Sequence, residues 1–152
     1  MREIKFRGFD LDLKKWFYGG YHKHIKRQVS PLGDELKEED IQHLIIIDGF
    51  ADWNMPRPIQ VATNVDVKSI GQYTGLKDKN GVEIYEGDIV KCKVYAIDNE
   101  TFEIDDIGKV VYDDDCCAYF LQFNEGYIHL TSAWNLGVIG NIYKNKELLE
   151  NE

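Results

Sequence analysis

The chain has 152 residues, of which 43% are hydrophobic and 30% charged, and its formal net charge is −9. This length fits one domain, or two small subdomains that share a core, and it needs no disulfide bonds to fold. The acidic balance argues against nonspecific binding to nucleic acid duplexes, which depends on clustered Lys and Arg. It suits solubility, a basic protein partner or mimicry of a polyanion.

The cysteines and the first residues bear on where the protein acts. Three cysteines are present, and Cys116 and Cys117 are adjacent, a spacing that rarely forms a disulfide bond. The start, MREIKFRGFD, is charged from its second residue and lacks the pattern of a secretory signal. No apolar stretch approaches the length of a membrane span. We therefore expect a soluble protein in a reducing cytosol.

Residues 1–68 are predicted to form a strand-rich subdomain. Residues 4–7 alternate apolar and charged side chains, which indicates a half-buried strand, and the aromatic residues 16–21 form a second strand that pairs with it. The polar segment SPLGDELKEED is either a loop or a short helix that runs on to Leu44. HLIIID is predicted to be a buried strand, and ADWNMPRPIQ a connector.

Residues 69–152 are predicted to form a small barrel or roll, because turn signals recur between short strands (KDKNG, EGD, AIDNE, DDIG, YDDD and NEG). CCAYFLQF is apolar on both faces and is predicted to be a central strand, which makes Cys116 and Cys117 inert core thiols. Asn145 is placed to cap a last helical turn that carries Leu148 and Leu149. The fold class is therefore mainly β, a β-rich α+β protein with little helix.

The stretch IGQYTGLKDKNGVEIYEGDIVK holds the sharpest local pattern. A three-residue loop, with Gly81 in the left-handed conformation, places Lys77 opposite Glu83 and Leu76 opposite Ile84. A phosphate-binding loop requires Gly-Lys-Ser/Thr before a helix, and a calcium loop requires a glycine and oxygen ligands at positions that this stretch does not match. The pattern predicts a hairpin and not a ligand-binding loop.

Four segments, IKFRGFD, the stretch above, GKVVY and VIGNIYKNKELL, resemble the YopX family of phage and prophage proteins. The resemblance covers both ends and the centre of the chain and is weakest from about residue 22 to residue 65. It implies an SH3-like roll for the C-terminal half, a phage or prophage origin and self-association as a homo-oligomer. It implies no reaction, and no catalytic residue is carried over from it.

Candidate metal ligands are few. His22 and His24 share one face of a predicted strand, but zinc needs a third and a fourth ligand at suitable spacing. The acidic region Asp105–Asp115 marks either solvated turns or carboxylates that converge on a divalent ion, as a metal-dependent hydrolase requires. We predict no catalytic, cofactor-binding or metal-binding residue.

Two binding surfaces are predicted. Lys23, Lys26 and Arg27, beside Tyr21, form a basic patch with an adjoining aromatic ring that suits a phosphate backbone. Trp53, followed closely by Arg57, is the tryptophan expected to be exposed, and an exposed Trp marks a partner surface.

The leading functional hypothesis is a non-enzymatic phage accessory protein that binds a protein partner, a host factor or itself, with no membrane association. The alternatives are a nucleic-acid-binding β roll, a metal-dependent hydrolase and a self-assembling structural protein.

Overall fold

The structure is a computed structural model that describes residues 3–26, 36–48, 60–95, 103–124 and 126–149. These residues form eleven strands and four short 3₁₀ turns, and their strand pairings are antiparallel. The prediction of a mainly β protein is confirmed. Backbone contacts group the chain into two units, Glu3–Gln72 and a unit that continues from Tyr73.

The N-terminal unit is an antiparallel sheet in the order β4-β3-β2-β1. Its strands are β1 (Phe6–Asp10), β2 (Lys15–Ile25), β3 (Ile41–Asp48) and β4 (Gln60–Asn64), and β1 also pairs with the first two residues of β5 (Gly71–Lys77).

The hairpin predicted between the first two segments is confirmed, since β1 pairs with β2 from Phe6↔Gly19 to Asp10↔Lys15. Of the two alternatives for the polar segment before β3, a loop or a helix that runs on to Leu44, the helix is wrong. A 3₁₀ turn covers Glu38–Asp40 alone, and β3 begins at once with β-branched Ile41.

The burial predicted for residues 4–7 is also wrong. Ile4 is 70% exposed, whereas Arg7 is 7% exposed. The strand begins only at Phe6, and the guanidinium of Arg7 lies 5.0 Å from the centre of the Trp16 ring. A cation over an indole face retains a favourable electrostatic contact when it leaves water, which accounts for the buried arginine.

The C-terminal unit combines the rest of β5, paired with β6 (Glu83–Tyr85), and a five-stranded sheet in the order β10-β9-β8-β7-β11. The sheet strands are β7 (Asp88–Tyr95), β8 (Glu103–Asp113), β9 (Ala118–Phe123), β10 (Gly126–His129) and β11 (Trp134–Asn141). Two 3₁₀ turns, Leu130–Ser132 and Lys146–Leu149, lie before and after β11.

Strand alternation divides the five-stranded sheet into two faces. One face carries the buried core of this unit, in which Val90, Val110 and Leu121 are at most 1% exposed. The full core cluster consists of Ile84, Val90, Cys92, Val110, Leu121, Leu130 and Ala133. The intervening residues, such as Lys109 and Gln122, therefore point from the opposite face, which we call the outer face.

The prediction that Cys116 and Cys117 belong to a central strand is wrong. β9 begins only at Ala118, and both thiols are exposed in the turn before it. The carboxylate of Asp113 accepts a hydrogen bond of 2.8 Å from the amide of Cys116, and Cys117 has a φ of 51°. The turn thus extends through both cysteines, and Cys92 is the thiol that is buried.

Candidate binding surface on the C-terminal sheet

The charged loop after β5 is a hairpin turn, as predicted. Gly81 has a φ of 82°, and Lys77 pairs with Glu83. The register then shifts, because Tyr73 pairs with Tyr85, and the predicted partnership of Leu76 with Ile84 is lost from the ladder. Gly75, with a φ of 88°, lies in the shifted segment.

Asp78 fixes this turn to a distant strand. Its Oδ1 accepts hydrogen bonds from the amides of Asn80 (2.7 Å) and Val82 (2.9 Å), and its Oδ2 accepts one from the amide of Val138 on β11 (3.1 Å). The amide of Lys79 also donates to the carbonyl of Leu136 at 2.9 Å. Burial opposes ionisation of Asp78, but these hydrogen bonds outweigh it and lower the pKa of the carboxyl. The carboxylate is therefore committed to holding the backbone.

The predicted basic patch lies partly on β2: Lys23 is exposed on this strand, and Lys26 is exposed directly after its end. The ammonium of Lys26 donates to the carbonyl of Glu39 at 3.1 Å, and its amide donates to the carbonyl of Asp40 at 2.9 Å. The acidic turn Glu38–Asp40 thus lies beside the patch and weakens its positive potential. Three predicted binding residues lie outside the described part of the chain: Arg27, Trp53 and Arg57.

The candidate metal ligands do not converge in the described ranges. His22 and His24 are exposed on β2 with ring centres 6.1 Å apart, and no group of three His, Cys, Asp or Glu side chains there is placed to hold a metal ion. Asp105 and Asp113 lie near the two ends of β8, about 27 Å apart for an extended strand. Asp105 is 3.8 Å from Lys91.

Among the residues that the structure describes, no helical segment combines the length and the hydropathy that crossing a lipid bilayer takes.

The outer face carries a surface that the sequence did not reveal. Cross-strand pairing places Ile89, Lys109, Gln122 and Tyr127 in one row over β7, β8, β9 and β10. At the end of this row, β10 is an edge strand of the five-stranded sheet. The row thus leads from the middle of the sheet to its edge.

Aromatic rings mark the β10 end of the row. The side chain of Tyr127 is 67% exposed, and its ring meets that of buried Phe120 edge-on, with centres 5.9 Å apart. The ring of His129, two residues further along β10, lies 4.2 Å from that of Phe120, centre to centre. Tyr127 is therefore an exposed aromatic side chain supported from below by a buried one.

A cleft of about 280 Å³ adjoins the row where β8 and β9 approach the last 3₁₀ turn. Its lining consists of Ile107, Lys109, Gln122, Phe123, Asn124, Leu148 and Leu149. Gln122 belongs to both features, because it lines the cleft and pairs directly with Tyr127. We call the cleft together with Phe120, Tyr127 and His129 the outer surface.

The last turn is held in place by local hydrogen bonds. The side chain of Asn141 accepts from the amides of Tyr143 and Lys144 at 3.2 and 3.1 Å, and the amide of Leu148 donates to the carbonyl of Asn145 at 3.1 Å. A helical turn carrying Leu148 and Leu149, which the sequence predicts, is present as a 3₁₀ turn.

Gly140 of β11 leaves room for this turn. A β-carbon at this position would come within 2.9 Å of Leu148 Cδ1, so a glycine permits the turn to lie close against the strand.

The cleft has an uneven charge. Among the described residues of the lining, Lys109 is the one that is charged; this lysine is half-buried, and its amine forms no ion pair with any described residue. Gln122 and Asn124 add amide groups beside it. The arrangement offers donors for an anion next to apolar walls.

The strand pairings of the described residues define the chain as an antiparallel β protein. The model of the family described as YopX protein matches residues 5–150. The chain therefore belongs to the YopX family, which confirms the resemblance drawn from its motifs.

The solved structures that are similar to this chain include a crystal structure of protein EF1440 from Enterococcus faecalis. The similarity covers 98% of this chain and 99% of that one, with 26% sequence identity and a TM-score of 0.43. No curated protein matches the chain.

Proposed function

We propose that the chain is a non-enzymatic protein-binding module that serves as a phage or prophage accessory protein in the bacterial cytoplasm. The observation that carries the proposal is the exposed Tyr127 on an edge strand, supported by Phe120 and adjoining an apolar cleft. Tyrosine is enriched among the residues that dominate protein interfaces.

The support beneath Tyr127 favours binding. A side chain already held by Phe120 loses less conformational freedom on binding than a free one does, and this ordering cost otherwise weakens association. The edge position adds a second means of recognition, because an extended segment of a partner can hydrogen-bond to an edge strand.

The cleft is large enough to take side chains of a partner. Sites for small molecules and cofactors occupy roughly 300–1,000 Å³. At about 280 Å³, the cleft lies just below this range and suits one or two side chains of a protein segment.

Site-specific photo-crosslinking tests the proposal. A benzophenone amino acid replaces Tyr127 in the intact chain, which is expressed in the host bacterium and irradiated. A matched control carries the label at Tyr112, which is 40% exposed on the other face of the same sheet. We expect one discrete adduct with a bacterial or phage protein from position 127 and none from position 112. The absence of an adduct at position 127 would contradict the proposal.

Self-assembly is the second candidate function, and the edge position of β10 favours it as well, because the edge of one copy can pair with that of another. Light scattering of the purified chain distinguishes the two candidates. A stable mass that is a multiple of the chain mass, with an adduct of the chain to itself, supports self-assembly.

The nucleic-acid alternative at Lys23, Lys26 and Arg27 stays a prediction. A gel-shift titration without salt-sensitive binding would exclude it.

A further inference from the structure

We infer that the outer surface recognises a short acidic and apolar segment of its protein partner, in which a large apolar residue lies beside Asp or Glu. The apolar side chain enters the cleft against Leu148 and Leu149, and the carboxylate faces Lys109. This inference rests on the proposed protein-binding function and names the chemistry of the partner.

The apolar half of the recognition follows from the lining. Ile107, Phe123, Leu148 and Leu149 are all partly buried, so each still presents apolar surface to solvent. Covering this surface with an apolar side chain removes it from water, which favours association. A polar side chain in the same place would lose hydrogen bonds to water without replacement.

The acidic half follows from Lys109. Lys91, on the same face of the sheet, has the Asp105 carboxylate 3.8 Å from its amine, whereas the Lys109 amine has no such counterion among the described residues. A partner that covers the cleft further desolvates the Lys109 amine, which is costly unless a carboxylate compensates it. The amides of Gln122 and Asn124 lie within the same lining as additional donors.

The local chemistry thus differs from that of the whole chain. A net charge of −9 suits a basic partner, yet the described residues that line the cleft include one lysine and no acidic residue. The net negative charge of the chain repels acidic segments. An acidic segment should therefore bind only if an apolar side chain also fills the cleft. Apolar and acidic groups are both needed for recognition.

A displayed library of random dodecamer peptides is the probe for the test. The library is selected separately on the immobilised wild-type chain, on the Lys109→Gln variant and on the matched control Lys91→Gln. The control removes a lysine from the same face of the sheet, but one that is not part of the cleft lining. Circular dichroism and thermal unfolding establish that each variant is folded.

We expect the wild-type chain and the Lys91→Gln variant to enrich peptides with Asp or Glu within two positions of a large apolar residue. In fluorescence anisotropy, Lys109→Gln should bind the best such peptide at least tenfold more weakly. Changing the peptide carboxylate to its amide should weaken binding by a similar factor. Lys109→Gln combined with the amide peptide should reduce the affinity little more than either change alone, because both changes remove the same contact.

Two results would overturn the inference: enriched peptides that lack acidic residues, or equal affinity of the wild type and Lys109→Gln for the best peptide. If either occurs while position 127 still crosslinks to a protein, the proposed function stands without this specificity. If acidic and apolar peptides bind through Lys109 but position 127 yields no adduct, the chemistry of the cleft stands and the protein-binding function in the cell does not.

Discussion

Two acidic turns of the C-terminal unit look alike in sequence and differ in structure. The turn after β5 contains Asp78, which is 7% exposed and accepts three backbone hydrogen bonds, one of them from β11. The turn after β8 contains Asp114 and Asp115, which are exposed, and Asp113 at the end of β8 accepts a hydrogen bond on its carboxylate from the amide of Cys116 in this turn. An acidic turn therefore stabilises the fold when its carboxylate meets the backbone of a distant strand.

Replacing Asp78 with Ala should produce the largest effect. The change removes the acceptor of three partly buried hydrogen bonds, from the amides of Asn80, Val82 and Val138, and we expect a loss of about 3 kcal/mol in the free energy of unfolding. Urea denaturation followed by circular dichroism measures the loss, and hydrogen exchange at the Val138 amide reports it locally.

The matched control is Asp115→Ala in the other turn, which should leave stability unchanged within error, since Asp115 is exposed. Equal losses from the two substitutions would contradict the difference between the turns.

The pH dependence of stability sharpens the same comparison. The pKa of Asp78 is lowered in the folded chain from its ordinary value of 3.8, so its contribution is complete above that pH and is lost as the pH falls towards the lowered value. The gap between the wild type and Asp78→Asn should be constant near neutral pH and shrink below about pH 4. Urea titrations at a series of pH values measure it, and a gap that grows in acid would show the opposite sign.

Substitutions at the residues with positive φ should change stability by smaller amounts, with a loss in the turn after β5 and a gain in the turn after β8. A β-carbon on Gly81 meets nothing within 4 Å, so Gly81→Ala suffers only from the positive φ and should lose about 1 kcal/mol. Gly81→Asn should lose less, because Asn tolerates this conformation.

In the other turn, Cys117 has a φ of 51°, so Cys117→Gly should gain about 0.5 kcal/mol. Denaturation midpoints test the signs, and a loss on Cys117→Gly would mean that its thiol contact with the Asp114 carbonyl, at 3.4 Å, outweighs the strain.

The smallest expected effect is a difference in the rates at which the three cysteine thiols are alkylated. In the folded chain, iodoacetamide should alkylate Cys116 and Cys117 but not Cys92, whose pKa is raised to about 11, first by burial and then by Asp106 and Asp105. The pKa of Cys116 is also raised, chiefly by the charge of Asp113, so Asp113→Asn should speed its alkylation. Timed mass spectrometry measures both, and early labelling of Cys92 would contradict the assigned burial.

The predictable part of the fold follows from local patterns. Alternation and turn residues located the first hairpin and the turn at Gly81, because both depend on neighbours within a few positions. The end of the turn before β9 was missed, since apolar Cys116 and Cys117 read as a continuation of the strand. The register shift near Gly75 has no signal in side-chain polarity.

The outer surface was beyond sequence reasoning for a physical reason. Lys109, Gln122 and Tyr127 come from three strands, and the registers of two hairpins decide that they share one row. Each alone reads as a polar-face residue of a strand. The acidic neighbour of the predicted basic patch at Lys23 and Lys26 could not be read from the sequence either, because pairing of β2 with β3 brings the turn Glu38–Asp40 beside it.

The bond between Asp78 and Val138 bears on the order in which the chain is completed during synthesis. The two residues are 60 positions apart, so the residues of the turn are synthesised well before Val138, the third donor to Asp78. Contacts between residues so far apart in sequence form late and reduce the folding rate. Until they form, the incomplete chain exposes unpaired strands. A nascent chain that ends before β11 therefore contains the whole hairpin but lacks Val138, whose amide joins Asp78 to β11. If such a chain were released, its unpaired strands would make it prone to aggregation.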